Sequence, residues 1–273
     1  MSYEGFVADG WSGVAEAFAH NIDNREDIGA GVSVFHKGKC VVDIAGGFFD
    51  RDATQPYTLD TLQLVFSTTK GVVSTAVAMC VERGLLSYEE PVSLFWPEFA
   101  AHGKEHVTVA LLLSHQADLY TVDGPLTYKD VLDWNTMVAR LADTAPLFPV
   151  GSTHGYHAIT FGWLAGELVR RVDGRNIGRF IAEEISNPLG GEIYVGLPEH
   201  LEHRVSPVNT GWPRSATDAP ASPPAQLPNK HLANALSLNG ALNVKGGFNR
   251  QDMHTAEVPG ANGIANARSL AAM

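Results

Sequence analysis

Apolar and polar positions along this chain follow two periods, and the elements can be read from where one gives way to the other. From Gly10 to Asn24 the residues Trp11, Val14, Ala15, Phe18 and Ala19 fall on one side of a helix. Two β-rich runs follow, Gly31 to His36 and Cys40 to Phe48, separated by Lys37-Gly38-Lys39, which predicts a hairpin. Asp50 to Asp60 is polar, contains Pro56 and reads as a loop. Val72, Val73, Ala76, Val77, Met79 and Cys80 then return at helical spacing. Ser67 stands where an N-cap belongs and Gly84 where the helix stops. Residues 85–200 read as mainly helical. Pro91 and Pro97 break the chain, Val107 to Leu113 is apolar, and one helix is predicted over Tyr128 to Asp143. Pro146 to Tyr156 reads as a loop. A strong helix follows over Thr160 to Val172, striped by Phe161, Leu164, Leu168 and Val169, and another over Ile177 to Ile185. Ser206 to Pro228 is punctuated by six prolines and is expected to be a long surface loop, a candidate lid. Asn266 is a suitable N-cap for a helical run over Ala267 to Met273.

These elements predict an α+β fold: an α/β sandwich with an antiparallel sheet plus an all-helical subdomain. Three parts are expected. Residues 1–66 form the N-terminal part of the α/β domain, 67–205 a mainly helical subdomain, and 206–273 a Pro-rich loop that returns towards the α/β domain. The hairpin finds few partner strands, and the last helical run stops on apolar residues without a cap. The expectation is therefore that further strands lie outside these residues, on a second chain or on a lost C-terminal segment, with a homo-oligomer also open.

Composition narrows the function classes. With 273 residues, 45% apolar and 18% charged, the chain can bury a large core and is not disordered. A net charge of −11 argues against nucleic acid and anionic membrane as partners. The start Met1-Ser2-Tyr3-Glu4-Gly5 has no basic and apolar leader pattern, and no apolar run reaches the roughly 20 residues of a membrane span. The two cysteines, Cys40 and Cys80, read as buried thiols, which fits a cytoplasmic location.

Candidate chemistry begins with Ser67 and Lys70. Three residues apart on a helix, their side chains share a face at the positive end of the helix dipole. A hydroxyl beside an amine can serve as nucleophile and proton acceptor if burial lowers the lysine from its ordinary value of about 10.4. Ser-x-x-Lys alone is a weak pattern, and on spacing alone a capping serine with a solvated lysine is the commoner arrangement. His102-Gly103-Lys104-Glu105-His106 spells H-x-x-E-H, but Gly103 within it and β-branched residues after it favour a loop over a zinc helix. His115 is expected to be structural. Lys245-Gly246-Gly247 reads as a loop. No Gly-x-Ser-x-Gly elbow occurs, which argues against an α/β-hydrolase, and there is no phosphate-binding glycine loop; no metal and no cofactor are expected.

Several segments together carry a resemblance: Phe66-Ser67-Thr68-Thr69-Lys70, Trp96-Pro97-Glu98-Phe99, Leu112-Leu113-Ser114-His115, and Gly155-Tyr156-His157-Ala158 with Phe161-Gly162-Trp163-Leu164-Ala165-Gly166-Glu167. In this order they resemble the serine β-lactamase and penicillin-binding-protein superfamily, closest to the class C-like branch with the family VIII carboxylesterases. The resemblance runs from about Gly31 to the final Ala-Asn-Gly and Ala-Arg-Ser-Leu segments. It implies a β-lactamase/transpeptidase-like fold, with Ser67 acylated, Lys70 deprotonating it, and Tyr156 as general base and acid. It also implies an oxyanion donor in the Ser67 N–H and substrate contacts from His157 and Ala158. Class C lactamases carry asparagine where Ala158 stands, which points to a small-molecule ester rather than a β-lactam. The family's third motif, Lys-Thr-Gly or similar, is not found, and the strand that bears it supplies the second oxyanion N–H. The expected activity is a carboxylesterase acting on short-chain acyl esters. The alternatives are a β-lactamase or D-amino peptidase on the same scaffold, or a non-catalytic fragment or one half of a two-chain assembly.

Overall fold

In a computed structural model, residues 3–24, 27–209 and 230–273 are described. Tyr3–Val7 (β1), Gly29–His36 (β2) and Lys39–Gly47 (β3) form an antiparallel sheet in the order β1-β3-β2. The hairpin between β2 and β3 turns on Lys37 and Gly38, both left-handed at φ +49° and +75°. Two successive positive φ values match the twist of the flanking strands. The third strand, β1, was not expected, because Tyr3-Glu4-Gly5-Phe6-Val7 lacks apolar alternation. Gly5 sits at φ +111°, where a side chain would overlap the Asp43 carbonyl. The helix Ser12–Asp23 (α1) lays Ala15 and Phe18 against Val42 and Ile44 on one face of this sheet. The C-terminal helix covers β2 on the other, where Arg268 Nε pairs with Asp43 at 3.2 Å.

A second sheet is built from very short strands: Leu62–Leu64 (β4), Ile193–Tyr194 (β5), Val205–Ser206 (β6) and Ile264–Ala265 (β7), in the order β5-β7-β4-β6. Leu62, Leu64, Leu197, Val205 and Ile264 form its core. Strands of two or three residues show no period along the sequence, which is why only the β2–β3 hairpin was predicted.

The helical layer begins with the helix that follows β4. Thr68–Glu82 (α2) buries Val72, Val73, Ala76, Val77 and Cys80 and ends at Arg83 and Gly84, the latter at φ +69°. Val109–Leu113 (α3) is capped by Thr108, whose side chain accepts from the Leu111 N–H. The single helix expected over 128–143 is two, Tyr128–Leu132 (α4) and Trp134–Asp143 (α5). Asp133 breaks it: extended at φ −96°, ψ 110°, it turns its side chain to cap the Thr136 N–H. Phe161–Asp173 (α6) buries every residue from Phe161 to Val169, so it is a central helix rather than an amphipathic one. Its buried Glu167 accepts from Trp134 Nε1 at 2.9 Å, Arg170 Nε at 2.6 Å and Arg171 Nε at 2.7 Å. Ile177–Ile181 (α7) continues as a wider turn over Ala182–Ser186. Lys230–Ser237 (α8), Gln251–Thr255 (α9) and Ala267–Ala272 (α10) complete the chain. Asn266 caps α10 as expected, its side chain accepting from the Ser269 N–H.

The H-x-x-E-H run is not one helix. His102 and Gly103 are left-handed at φ +58° and +79°, and it is Lys104 that is buried, its Nζ donating to the Ala101, Ala142 and Thr144 carbonyls. Lys245-Gly246-Gly247 is a turn with Gly246 at φ +87°. Most of the Pro-rich stretch, residues 210–229, lies outside the described residues, and with it the candidate lid.

Gly162 lets α6 touch the Pro259–Gly260 backbone, where a Cβ would overlap main-chain atoms. Gly162→Ala is expected to lower unfolding stability by about 1–3 kcal/mol, because main chain cannot rotate away as a side chain can. Urea denaturation at constant m-value checks this, and an unchanged midpoint would show that the helix has room to retreat.

Candidate active site

The approach to Ser67 is fixed before α2 begins. The Val65 N–H donates to the Gly263 carbonyl at 2.9 Å, extending the β4–β7 pairing. Thr69 Oγ1 accepts from the Gly263 N–H at 2.9 Å and donates to the Phe66 carbonyl at 2.5 Å. Between these ties Phe66 is forced left-handed, at φ +42°. Its carbonyl also accepts from the Thr69 N–H at 3.0 Å, so main chain satisfies an open donor of the first turn. The expectation that the Ser67 hydroxyl caps the helix is therefore corrected: Ser67 is already helical at φ −67°, ψ −9° and makes no side-chain cap bond. Its hydroxyl is left exposed and free to face Lys70.

Lys70 is 7% exposed, and its Nζ has three acceptors: the Ala158 carbonyl at 2.6 Å, the Gly260 carbonyl at 2.7 Å and Ser67 Oγ at 3.2 Å. Burial drives its pKa down from the ordinary lysine value, with Tyr156 pulling the other way. The geometry defines both protonation states. An ammonium has three donors and fills all three directions. A neutral amine keeps two N–H groups on the two carbonyls, which leaves its lone pair aimed at the Ser67 hydroxyl. Gly260 is held in place by Asn262, fully buried, whose side chain accepts from the Val258 N–H at 3.0 Å and donates to the Met253 and Ala256 carbonyls at 2.8 and 2.7 Å. Sequence reading missed this arm of the site. A backbone carbonyl leaves no mark in a sequence, and the only signal was the Asn262-Gly263 pair between apolar residues.

Tyr156 lies over the same amine, with its ring centre 4.7 Å from Lys70 Nζ and the side chain 44% exposed. The structure thus gathers Ser67, Lys70 and Tyr156 around one nitrogen. The neighbours of Tyr156 are placed differently from expectation. His157 is fully buried; its Nδ1 donates to the Gly155 carbonyl at 2.7 Å and its Nε2 accepts from the Leu119 N–H at 3.0 Å. With no surface and both nitrogens engaged it has nothing to offer a substrate, so its expected substrate contact is corrected to a scaffold role. Ala158 is 2% exposed, and what it brings to the site is its carbonyl. His115 stands at φ +63°; its Nδ1 accepts from the His157 N–H at 3.2 Å, its carbonyl accepts from the Gly155 N–H at 3.1 Å, and its ring lies 5.1 Å from that of Tyr156. It buttresses the tyrosine, as a structural histidine would. Burial, assisted by the Lys70 charge, pushes His115 down to about 4; burial chiefly pushes His157 down to about 3. Among the described residues no cluster of three or more potential metal ligands occurs.

A family model described as Beta-lactamase matches residues 14–273. The chain is 34% identical over 268 residues to the esterase/beta-lactamase LipL of Mycobacterium tuberculosis, covering 95% of this chain and 61% of LipL. It spans about three fifths of that relative's length. Among solved structures it is similar to a penicillin-binding-protein homologue from Caulobacter crescentus, at 37% identity and TM-score 0.88, covering all of this chain and 70% of the other. It is also similar to a family VIII carboxylesterase, at 35% identity and TM-score 0.86, covering 97% and 69%. The chain belongs to the beta-lactamase family, and its fold is the β-lactamase/transpeptidase-like one.

At neutral pH His115 and His157 are uncharged in the folded chain, whereas in the unfolded chain each takes a proton below its ordinary value of about 6.5. Stability from this source is fully present above that value and is lost as the pH falls from 6.5 towards 4 and 3. The urea midpoint of the wild type is expected to drop between pH 7 and pH 4.5 by more than that of His157→Asn. Parallel pH curves for the two proteins would contradict the assignment.

Proposed function

We propose that this chain is a serine ester hydrolase whose acyl-enzyme forms on Ser67. The observation that carries the reading is the Lys70 amine, held by two carbonyls, with its third direction on Ser67 Oγ and the Tyr156 ring above it. In its neutral form Lys70 takes the Ser67 proton as Oγ bonds to the ester carbonyl carbon. The carbonyl π electrons move onto oxygen, where the Ser67 N–H, which makes no hydrogen bond among the described residues, is placed to donate. The tetrahedral adduct collapses by breaking the bond to the alcohol oxygen. Tyr156 protonates that oxygen and recovers its proton from Lys70, which returns the amine to its starting form. A water then attacks the acyl carbon by the same route in reverse and releases the acid and Ser67.

Esters are favoured over amides because Ala158 offers no polar side chain to hold an amide group, and because relatives carry the names esterase and carboxylesterase. LipL is named as both esterase and beta-lactamase, which keeps a β-lactamase as the second reading. Both cysteines are free, which supports a reducing compartment. No helix among the described residues is long and apolar enough to cross a membrane.

With p-nitrophenyl butyrate as substrate, Ser67→Ala is expected to lower kcat more than about 1000-fold. Lys70→Met and Tyr156→Phe are each expected to lower it about 100- to 10,000-fold. Equal turnover by wild type and Ser67→Ala would remove the reading. Faster turnover of a chromogenic cephalosporin than of the ester would move it to the lactamase.

A further inference from the structure

Besides the ring contact with His115, Tyr156 is held from its flanks. The segment 115–120 is the bed on which residues 151–160 lie: Gly151 and Gly155 N–H groups donate to the Gln116 and His115 carbonyls, and Thr160 Oγ1 donates to the Leu119 carbonyl at 2.7 Å. At the end of this bed stands Tyr120. Its ring meets that of His157 edge-on, with centres 5.0 Å apart, and fills the space beside Gly155, where a Cβ would overlap the ring. Tyr120 also lines a pocket of about 60 Å³, together with Asp118, Thr121 and Leu147, so packing does not enclose it on every side. What holds it is the hydroxyl, which donates to Asp118. Asp118 is 1% exposed and left-handed at φ +55°, which turns its carboxylate back onto Tyr120; its Oδ2 is buried without a partner. A buried carboxylate with a single donor grips that donor tightly, because losing it would leave both oxygens unsatisfied. The Asp118 carbonyl is pinned in turn by the Leu147 N–H at 3.1 Å.

We propose that Tyr120, anchored by Asp118, is a positioning residue that sets how the Gly155-Tyr156-His157 backbone presents Tyr156 to Lys70. The proposal rests on the reading of Ser67, Lys70 and Tyr156 as the reacting groups. In this role Tyr120 acts through Tyr156 by fixing its angle, and only glycine at 155 lets the ring come close enough to do so.

A mutant cycle tests the contact. Tyr120→Ala and Gly155→Ala are each expected to lower kcat for p-nitrophenyl butyrate about ten- to hundredfold while KM stays within about twofold. In the Tyr120→Ala background Gly155→Ala should cost no more than about twofold, because the ring it strikes is gone. Asp118→Asn, which keeps an acceptor for the hydroxyl, should retain more activity than Tyr120→Phe. Hydrogen exchange at the Gly155 and His157 amides reads the same contact without turnover, and in folded Tyr120→Ala it should run about tenfold faster. An ester-inert wild type would sink the functional reading and leave this exchange result to decide the positioning role. Unchanged exchange, or an equal cost of Gly155→Ala with and without Tyr120, would overturn the proposal.

Discussion

One nitrogen with three acceptors governs this structure. Lys70 Nζ cannot sit where it does, 7% exposed, unless two main-chain carbonyls and one hydroxyl converge on it from different parts of the chain. Ala158 comes from the loop before α6, Gly260 from the loop after α9, and Ser67 from the start of α2. A buried amine without these partners would face a desolvation cost that nothing offsets. The close approaches elsewhere follow from that requirement. Gly162 allows α6 to reach the Gly260 backbone, Asn262 closes the loop that aims the Gly260 carbonyl, and Thr69 ties the first turn of α2 to Gly263.

The constraint also explains why the serine is not a helix cap. A capping hydroxyl would be occupied by a main-chain N–H and turned away from the amine. The left-handed Phe66 gives that duty to its own carbonyl and leaves the hydroxyl beside Lys70. Left-handed backbone at a bulky residue carries a local cost of order 1–3 kcal/mol. Here three bonds, from Val65, Thr69 and Gly263, fix the kink.

What could be read from the sequence was what a local pattern determines. The Lys37-Gly38 turn, the helices that became α1, α2 and α6, and the Asn266 cap each rest on residues within a few positions of one another. The strands β4 to β7 could not be read, since each gains its identity from a partner far along the chain, as Leu64 does from Ile264. The break at Asp133 was hidden because a capping aspartate and a solvent-facing aspartate look alike in a periodic pattern. Ser67, Lys70 and Tyr156 were legible through spacing and the resemblance. His157 was misjudged because adjacency to Tyr156 says nothing about which way a side chain turns, and burial turned it inward. The Gly260 carbonyl and the hold of Asn262 on it were invisible because they are main-chain geometry.

The most direct test of this account is a carbon-13 titration of lysine Cε signals, with Lys70 assigned through its loss in Lys70→Arg. The account predicts that burial makes the Lys70 resonance titrate below those of the exposed lysines, whose ordinary value is about 10.4. A Lys70 signal that titrates together with those exposed lysines would contradict it, for the amine would then hold its proton at neutral pH and have no lone pair to offer Ser67.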